Sequence, residues 1–291
     1  MLPREVLKKI RRIEITTSKL ATDFLSGQYE SVFKGRGIEF DEVRDYQPGD
    51  EIRSIDWNVT ARMGTPFVKK FVEERQLTVM LVLDASSSSG FGTAKRFKKE
   101  LAAEVCAVLA FAAIQNNDRV GLIIFTDRVE KFVPPRKGPH HVLRVVREAL
   151  YFHPKGKGTD IAGALRYLDG VVTRRAVTFV ISDFFAKDFK KPLSIANKKH
   201  DIIAVTITDP REAELPNAGI IELTDAETGR PYLIDTSSAK VRRTYSDKSA
   251  ALRGERKSLF GSVGVDHVDI STDKPYVEEF IKFFRMRKRR I

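Results

Sequence analysis

Leu77-Thr78-Val79-Met80-Leu81-Val82-Leu83-Asp84-Ala85-Ser86-Ser87-Ser88 is the stretch that decides how this chain is read. Seven residues suited to a buried strand end in Asp-x-Ser-x-Ser. That pattern puts one carboxylate and two hydroxyls on a tight loop at the strand's carboxyl end. In open α/β sheets, ligands bind outside those carboxyl ends. Short oxygen donors with no neighbouring Cys or His suit a hard cation such as Mg²⁺. Ser-rich loops after strands are common, so the run alone does not make a site.

Outward from Asp84, strand-like and helix-like segments alternate. Ala94–Gln115 carries Phe97, Leu101, Val105, Val108 and Ala112 at three- and four-residue spacing, the mark of a helix face. Arg119–Phe125, Ala176–Ile181 and Ile202–Ile207 read as further buried strands. Phe132-Val-Pro-Pro reads as an interruption, and helices are expected over His141–Leu150 and from Asp160 onward. Continuous Val/Ile/Leu strands alternating with helices indicate a mainly parallel sheet covered on both faces. Gly219–Thr224 and Pro231–Ile234 flank Asp-Ala-Glu-Thr-Gly, a hairpin signal. A basic helix over Ser238–Phe260, a strand at Val265–Ile270 and a helix at Pro275–Phe284 close the chain. The expected fold class is α/β, a doubly wound, mainly parallel sheet.

Residues 1–76 have a different texture, and the expected division is 1–76 and 77–291, with the hairpin inserted near 219–235. A helix near Pro3–Leu20 precedes turn signals at Gly35, Gly37, Pro48-Gly49 and Gly64-Thr-Pro66, which separate short extended pieces such as Pro66–Phe71. This reads as a small β-rich module.

The chain has 291 residues, 42% of them hydrophobic, ample for a real core. No apolar run approaches the roughly 20 residues that span a bilayer, so no transmembrane segment is expected. The N-terminus mixes charges and has no signal-peptide core. The single Cys106 excludes an internal disulfide. A cytoplasmic protein is the expectation.

The formal charge is +12, from 51 Lys+Arg against 39 Asp+Glu. From Ala239 onward there are 14 basic and 7 acidic residues, ending in Arg285-Met-Arg-Lys-Arg-Arg-Ile291. Such a tail suits nucleic acid, an acidic protein or an anionic membrane face, or is simply a solvated end. A nucleic-acid-binding protein is therefore the rival functional reading.

If Asp84, Ser86 and Ser88 hold a cation, further ligands belong on neighbouring loops. Gly156-Lys-Gly-Thr159-Asp160 opens a helix and offers a hydroxyl, and Asp183 directly follows the strand ending at Ile181-Ser182. Thr159 or Asp160 equally fits a helix N-cap, and Asp183 a turn. The three loops share one sheet edge, which favours a common site over coincidence.

Asp84-x-Ser86-x-Ser88 with Thr159 and Asp183 resembles the metal-ion-dependent adhesion site of von Willebrand factor type A domains. The segment Gly35-Arg-Gly-Ile-Glu-Phe-Asp-Glu-Val-Arg-Asp-Tyr-Gln-Pro-Gly-Asp-Glu-Ile-Arg-Ser-Ile-Asp-Trp57 resembles the signature of the bacterial "domain of unknown function 58" family, which carries this domain. The resemblance implies Mg²⁺, with Mn²⁺ or Ca²⁺ as substitutes, bound directly by the two Ser and the Thr and through water by the Asp residues. It also implies an acidic protein ligand and a MoxR-type AAA+ ATPase as partner. Ser89-Gly90 departs from the family's usual Met or Gly after the second Ser, without loss of a ligand.

A binding module is expected rather than an enzyme. Hydrolysis needs a positioned base or acid, and His140, His141 and His153 read as surface or capping residues. The phosphate-loop pattern, the Gly-x-Ser-x-Gly elbow and His-Glu-x-x-His are all missing from the sequence. A Mg²⁺-dependent phosphoesterase is the weaker option. In the first module, Arg36, Arg44, Arg53 and Arg62 alternate with Glu39, Asp41, Asp45, Asp50 and Asp56. This reads as an ion-pair network with Trp57 packed against the parallel domain, or as a docking face.

Overall fold

The computed structural model describes residues 29, 39–72, 76–90, 92, 97–224 and 230–290. The helix expected near Pro3–Leu20 lies outside them. The chain divides into a smaller unit, Phe33–Leu77, and a larger one that contains Tyr29 and Thr78–Ile291.

In the smaller unit, β1 (Glu39–Asp45) pairs antiparallel with β2 (Phe67–Val72). Between them lie a 3-10 turn, Ile52–Ser54, and helix α1, Trp57–Met63. Asp56 caps α1 by accepting from the N–H groups of Asn58 and Val59, and Gly64 ends it at φ +78°, a left-handed conformation suited to Gly. Arg44 grips Asp50 with both terminal nitrogens at 2.7 Å, one pair of the expected network. Trp57 is 65% exposed. It occupies the first turn of a short helix that buries none of its residues.

The larger unit runs in order through β3 (Thr78–Asp84), α2 (Lys98–Gln115), β4 (Arg119–Phe125), β5 (Val129–Arg136), α3 (Pro139–Tyr151) and α4 (Ile161–Val171). It continues with β6 (Val177–Ser182), α5 (Lys190–Lys199), β7 (Asp201–Thr208), the short α6 (Pro210–Ala213) and the antiparallel ribbon β8 (Ile220–Thr224) and β9 (Pro231–Asp235). It ends with α7 (Ala239–Ser262), β10 (Asp266–Ser271) and α8 (Tyr276–Lys288). Six strands form one sheet in the order β10-β7-β6-β3-β4-β5, parallel except for β5. This is the α/β architecture expected from the sequence.

Alternate residues of β3 face opposite ways, and both faces are covered. Met80 and Val82 share a core with Ile123, Phe125 and Val180, with Ile161, Leu165 and Leu168 of α4, and with Leu193 of α5. Helix α2 packs on β3, β4 and β7 and against α3. It is apolar nearly all round, from Leu101 to Ala113, as a helix buried within a protein must be. It begins at Lys98, four residues later than the periodicity suggested; residues 93–96 lie outside the description.

Phe132-Val-Pro-Pro is also corrected: it belongs to β5, which pairs antiparallel with β4. Pro134 and Pro135 cannot donate to a ladder, but β5 is the edge strand, and its register with β4 shifts between Val120 and Leu122. Adjacent residues of a strand turn their backbone nitrogens to opposite sides, so one proline faces the open edge and the other meets β4 at the register shift, where the regular ladder is interrupted.

The strand order positions the site. β3 is followed in the chain by β4 on one side of it, whereas β6 is followed by β7 on the other. Neighbouring strands whose connections diverge leave a crevice outside their carboxyl ends, where open α/β sheets bind ligands. Asp84 closes β3 there, and Ser182 closes β6.

Candidate functional site

Asp84 is buried, and both its oxygens are engaged. The Ser86 N–H donates to Oδ1 at 2.9 Å, and the Ser182 hydroxyl donates to Oδ2 at 2.5 Å. The first bond folds the loop back on itself as an Asx turn; the second ties β3 to β6. The Ala85 N–H reaches the Phe125 carbonyl at 2.9 Å, and the chain enters a 3-10 turn at Ser87–Gly90. These constraints leave the Ser86 and Ser88 hydroxyl oxygens 3.0 Å apart. Burial pushes the Asp84 carboxyl up to about 6; the Ser182 hydrogen bond opposes this and the charge of Asp183 adds to it.

The loop bearing Thr159 is fixed from two sides. Glu130 accepts from the N–H groups of Lys155 and Gly156 and from the Thr126 hydroxyl, at 2.7 to 3.0 Å. Burial raises the Glu130 carboxyl, but these donors outweigh it and hold it below the ordinary carboxylate range. At Gly156 a Cβ would lie 2.1 Å from an Asp127 oxygen and 2.3 Å from the Thr126 hydroxyl, so any larger residue forces those side chains or the loop to shift. On the other side the Ser87 N–H donates to the Lys157 carbonyl at 3.0 Å, joining this loop to the one after β3. Asp160 caps α4 through the Gly163 N–H at 2.8 Å, the capping alternative weighed from the sequence. Thr159 is half-buried, and among the described residues its hydroxyl has no hydrogen-bond partner.

Asp183 lies on the loop after β6, beside Asp84. One oxygen accepts from the Phe185 N–H at 3.2 Å and the other from the Lys98 ammonium at 2.9 Å. The Asp183 carbonyl accepts from Arg256 of α7 at 2.8 Å. Phe184 adopts φ +57°, uncommon for a bulky residue, and is held there by burial against Phe260, ring centroids 5.0 Å apart. A cavity of about 20 Å³, room for roughly one water molecule, is lined by Asp84, Ser88, Lys98, Ser182 and Asp183.

The structure therefore gathers Asp84, Ser86, Ser88 and Asp183 and joins the Thr159 loop to them. It adds residues the sequence reading missed: Ser182, Lys98, Glu212, Glu130 and Arg256. Ser182 could have been noticed as the last residue of its strand. Lys98 and Glu212 carry no local signal, because only the fold brings the start of α2 to α6.

The chemistry of the donors admits a hard cation. Two ligands at right angles in a Mg²⁺ shell, each about 2.1 Å from the ion, lie about 3 Å apart. The Ser86 and Ser88 oxygens stand 3.0 Å apart. No group of three or more His, Cys, Asp or Glu that could hold a metal occurs among the described residues, so a cation here would rest mainly on hydroxyls.

The histidines sit elsewhere. His141 contacts the Val120 carbonyl through Nε2 at 2.9 Å. Much of the basic C-terminus is used internally: Arg287 pairs with Asp201 and Asp266, and Arg290 reaches Asp266 at 3.0 Å. Among the described residues no helix is long and apolar enough to cross a membrane.

The fold and this cluster define a doubly wound α/β domain with an oxygen-rich site at its switch point. Residues 42–255 match the family described as "Protein of unknown function DUF58", and the chain belongs to that family. An uncharacterized protein of Mycobacterium tuberculosis, Rv1480, is 32% identical over 285 residues, 96% of this chain and 89% of the relative. Uncharacterized protein YeaD of Bacillus subtilis is 24% identical over 60% of this chain and 41% of its own length. Among solved structures, BatB from Bacteroides thetaiotaomicron aligns with a TM-score of 0.48 at 16% identity, covering 73% of this chain and 99% of that one. The SpRpn10 VWA domain aligns at 0.41 and 10%, covering 71% and 94%. At such values these likenesses carry no argument.

Proposed function

We propose that this chain is a protein-docking module, not an enzyme, whose site at Asp84, Ser86 and Ser88 holds Mg²⁺ and receives a carboxylate from an acidic partner. The observation that carries the reading is the 3.0 Å spacing of the Ser86 and Ser88 hydroxyls beside the buried Asp84, at the switch point of the sheet. When bound, Mg²⁺ supplies a Lewis-acidic position that a partner's carboxylate can complete. Ser86 and Ser88 are the direct donors, Thr159 is the candidate third, and Asp84 and Asp183 act from behind. The positive balance of the chain favours the same anionic partner. The family resemblance adds a MoxR-type AAA+ ATPase as co-worker, since this chain has no nucleotide-binding motif of its own.

The test is capture of partners by wild type and by Asp84→Asn, in Mg²⁺ and in EDTA. The reading expects partners only with wild type in Mg²⁺. Equal capture under all four conditions overturns it.

A further inference from the structure

Lys98 sits where elementary electrostatics disfavours a cation. It is the first residue of α2, at the positive end of that helix's dipole, and it is 2% exposed. A buried ammonium persists only when carboxylates compensate its lost hydration. Two do so: Asp183 at 2.9 Å and Glu212 at 2.6 Å. Burial lowers the lysine's proton affinity, but the two carboxylates outweigh it and the net shift is upward. Glu212 is itself fixed, its second oxygen accepting from the Asp209 N–H at 3.0 Å in a capping box on α6. Lys98 is thus a rigidly held ion, and it lines the same small cavity as Asp84, Ser88 and Asp183.

That placement changes the charge available to an incoming cation. Asp84, Asp183 and Glu212 bring three negative charges, and Lys98 returns one. Arg256, on the Asp183 carbonyl and drawn also to Asp269, returns part of a second. Asp183, the carboxylate expected to support Mg²⁺ from behind, already spends one oxygen on Lys98 and the other on the Phe185 N–H. A divalent ion at the Ser86–Ser88 pair then faces fewer than two uncompensated negative charges, less than it needs.

We propose that Lys98 is a tethered internal cation that sets the divalent-ion affinity of this site, keeping it low until a partner's carboxylate supplies the missing charge. The inference rests on the cation reading of Asp84, Ser86 and Ser88 and deepens it: metal and partner bind as a pair, each weak alone. Lys98 acts through Asp183 and touches neither ion nor partner, so it is a positioning residue.

The test is titration of the full chain with Mn²⁺ and with Mg²⁺ at one fixed pH, followed by calorimetry and by the midpoint of thermal unfolding. Wild type, Lys98→Arg, Lys98→Met and Lys98→Gln are compared. Removing a positive charge this close should tighten Mn²⁺ binding at least about tenfold. Lys98→Arg should stay near wild type. Should Lys98→Met be unfolded without metal, its refolding by Mn²⁺ supports the proposal, since the ion then replaces the ammonium. Lys98→Gln, neutral but still able to donate an amide hydrogen bond to Asp183 or Glu212, keeps the comparison available if Lys98→Met does not fold at all. Equal or weaker Mn²⁺ binding in both neutral variants, Lys98→Met and Lys98→Gln, with wild type binding measurably, overturns this inference and leaves the cation reading standing. Binding in none of the four proteins overturns both.

Discussion

The hydroxyl of Ser182 donates to Oδ2 of Asp84 at 2.5 Å, so the last residues of two adjacent strands are joined by their side chains. The same Ser182 oxygen accepts from the Phe184 N–H at 3.0 Å. One buried hydroxyl therefore links the β3 end, the β6 end and the turn that presents Asp183. Removing it strands a donor and deprives a buried carboxylate of its partner. Ser182→Ala should cost about 2 to 3 kcal/mol, the usual price of a buried polar group left without its bond. Urea unfolding against wild type measures it, and a loss below 0.5 kcal/mol would show that Ser182 does not organise this edge.

Asp84 gives the metal-free protein a distinctive pH dependence. Its folded value of about 6 lies above the 3.8 of an unperturbed Asp. Between those limits the folded state holds a proton that the unfolded state has released, so stability falls as pH rises from about 4 to about 6. The full span is about 3 kcal/mol. In EDTA, wild type should lose stability relative to Asp84→Asn as pH rises through that window, and the gap should stop widening above about pH 7. Parallel curves for the two proteins would contradict the burial of an ionisable Asp84.

How legible this was depended on where the information lay. β3, β4, β6 and β7 are continuous apolar runs because strands buried on both faces need no polar alternation. β5 was hidden because Pro134-Pro135 argues against a strand unless the strand is known to be at an edge, and edge position is a property of the assembled sheet. Asp84, Ser86 and Ser88 were readable because they lie within five residues of each other on one loop. Lys98 was not. It sits next to Lys99, identical in sequence terms, yet helical phase sends one ammonium to Asp183 and the other to the Phe152 carbonyl. Glu212 lies 114 residues away in sequence and meets Lys98 only through the fold.

Gly156 tests whether the Thr159 loop belongs to the site. A methyl group there meets Asp127 and Thr126 at 2.1 to 2.3 Å, well inside van der Waals contact. Gly156→Ala should displace the 155–158 segment from Glu130, costing about 1 to 3 kcal/mol, as overpacking generally does. It should also weaken Mn²⁺ binding by displacing Thr159. Unchanged affinity alongside reduced stability would remove Thr159 from the ligand set while leaving Ser86 and Ser88 in place.

Arg287 separates a structural C-terminus from a nucleic-acid-binding one. Its guanidinium is mostly buried between Asp201 at the start of β7 and Asp266 at the start of β10, so it pins α8 to the sheet's amino edge. Arg287→Ala leaves two partly buried carboxylates with less compensation; Arg290 still reaches Asp266, but among the described residues no other cation pairs with Asp201. The expected loss is about 2 to 4 kcal/mol, toward the lower part of the range for breaking a buried pair because the site is not fully dry. Truncation after Phe284, which removes Arg290 as well, should cost at least as much. If the tail instead serves nucleic acid, Arg287→Ala will leave unfolding unchanged and reduce the salt slope of DNA binding by about one. Chemical denaturation and a salt series on the same two variants decide between these outcomes.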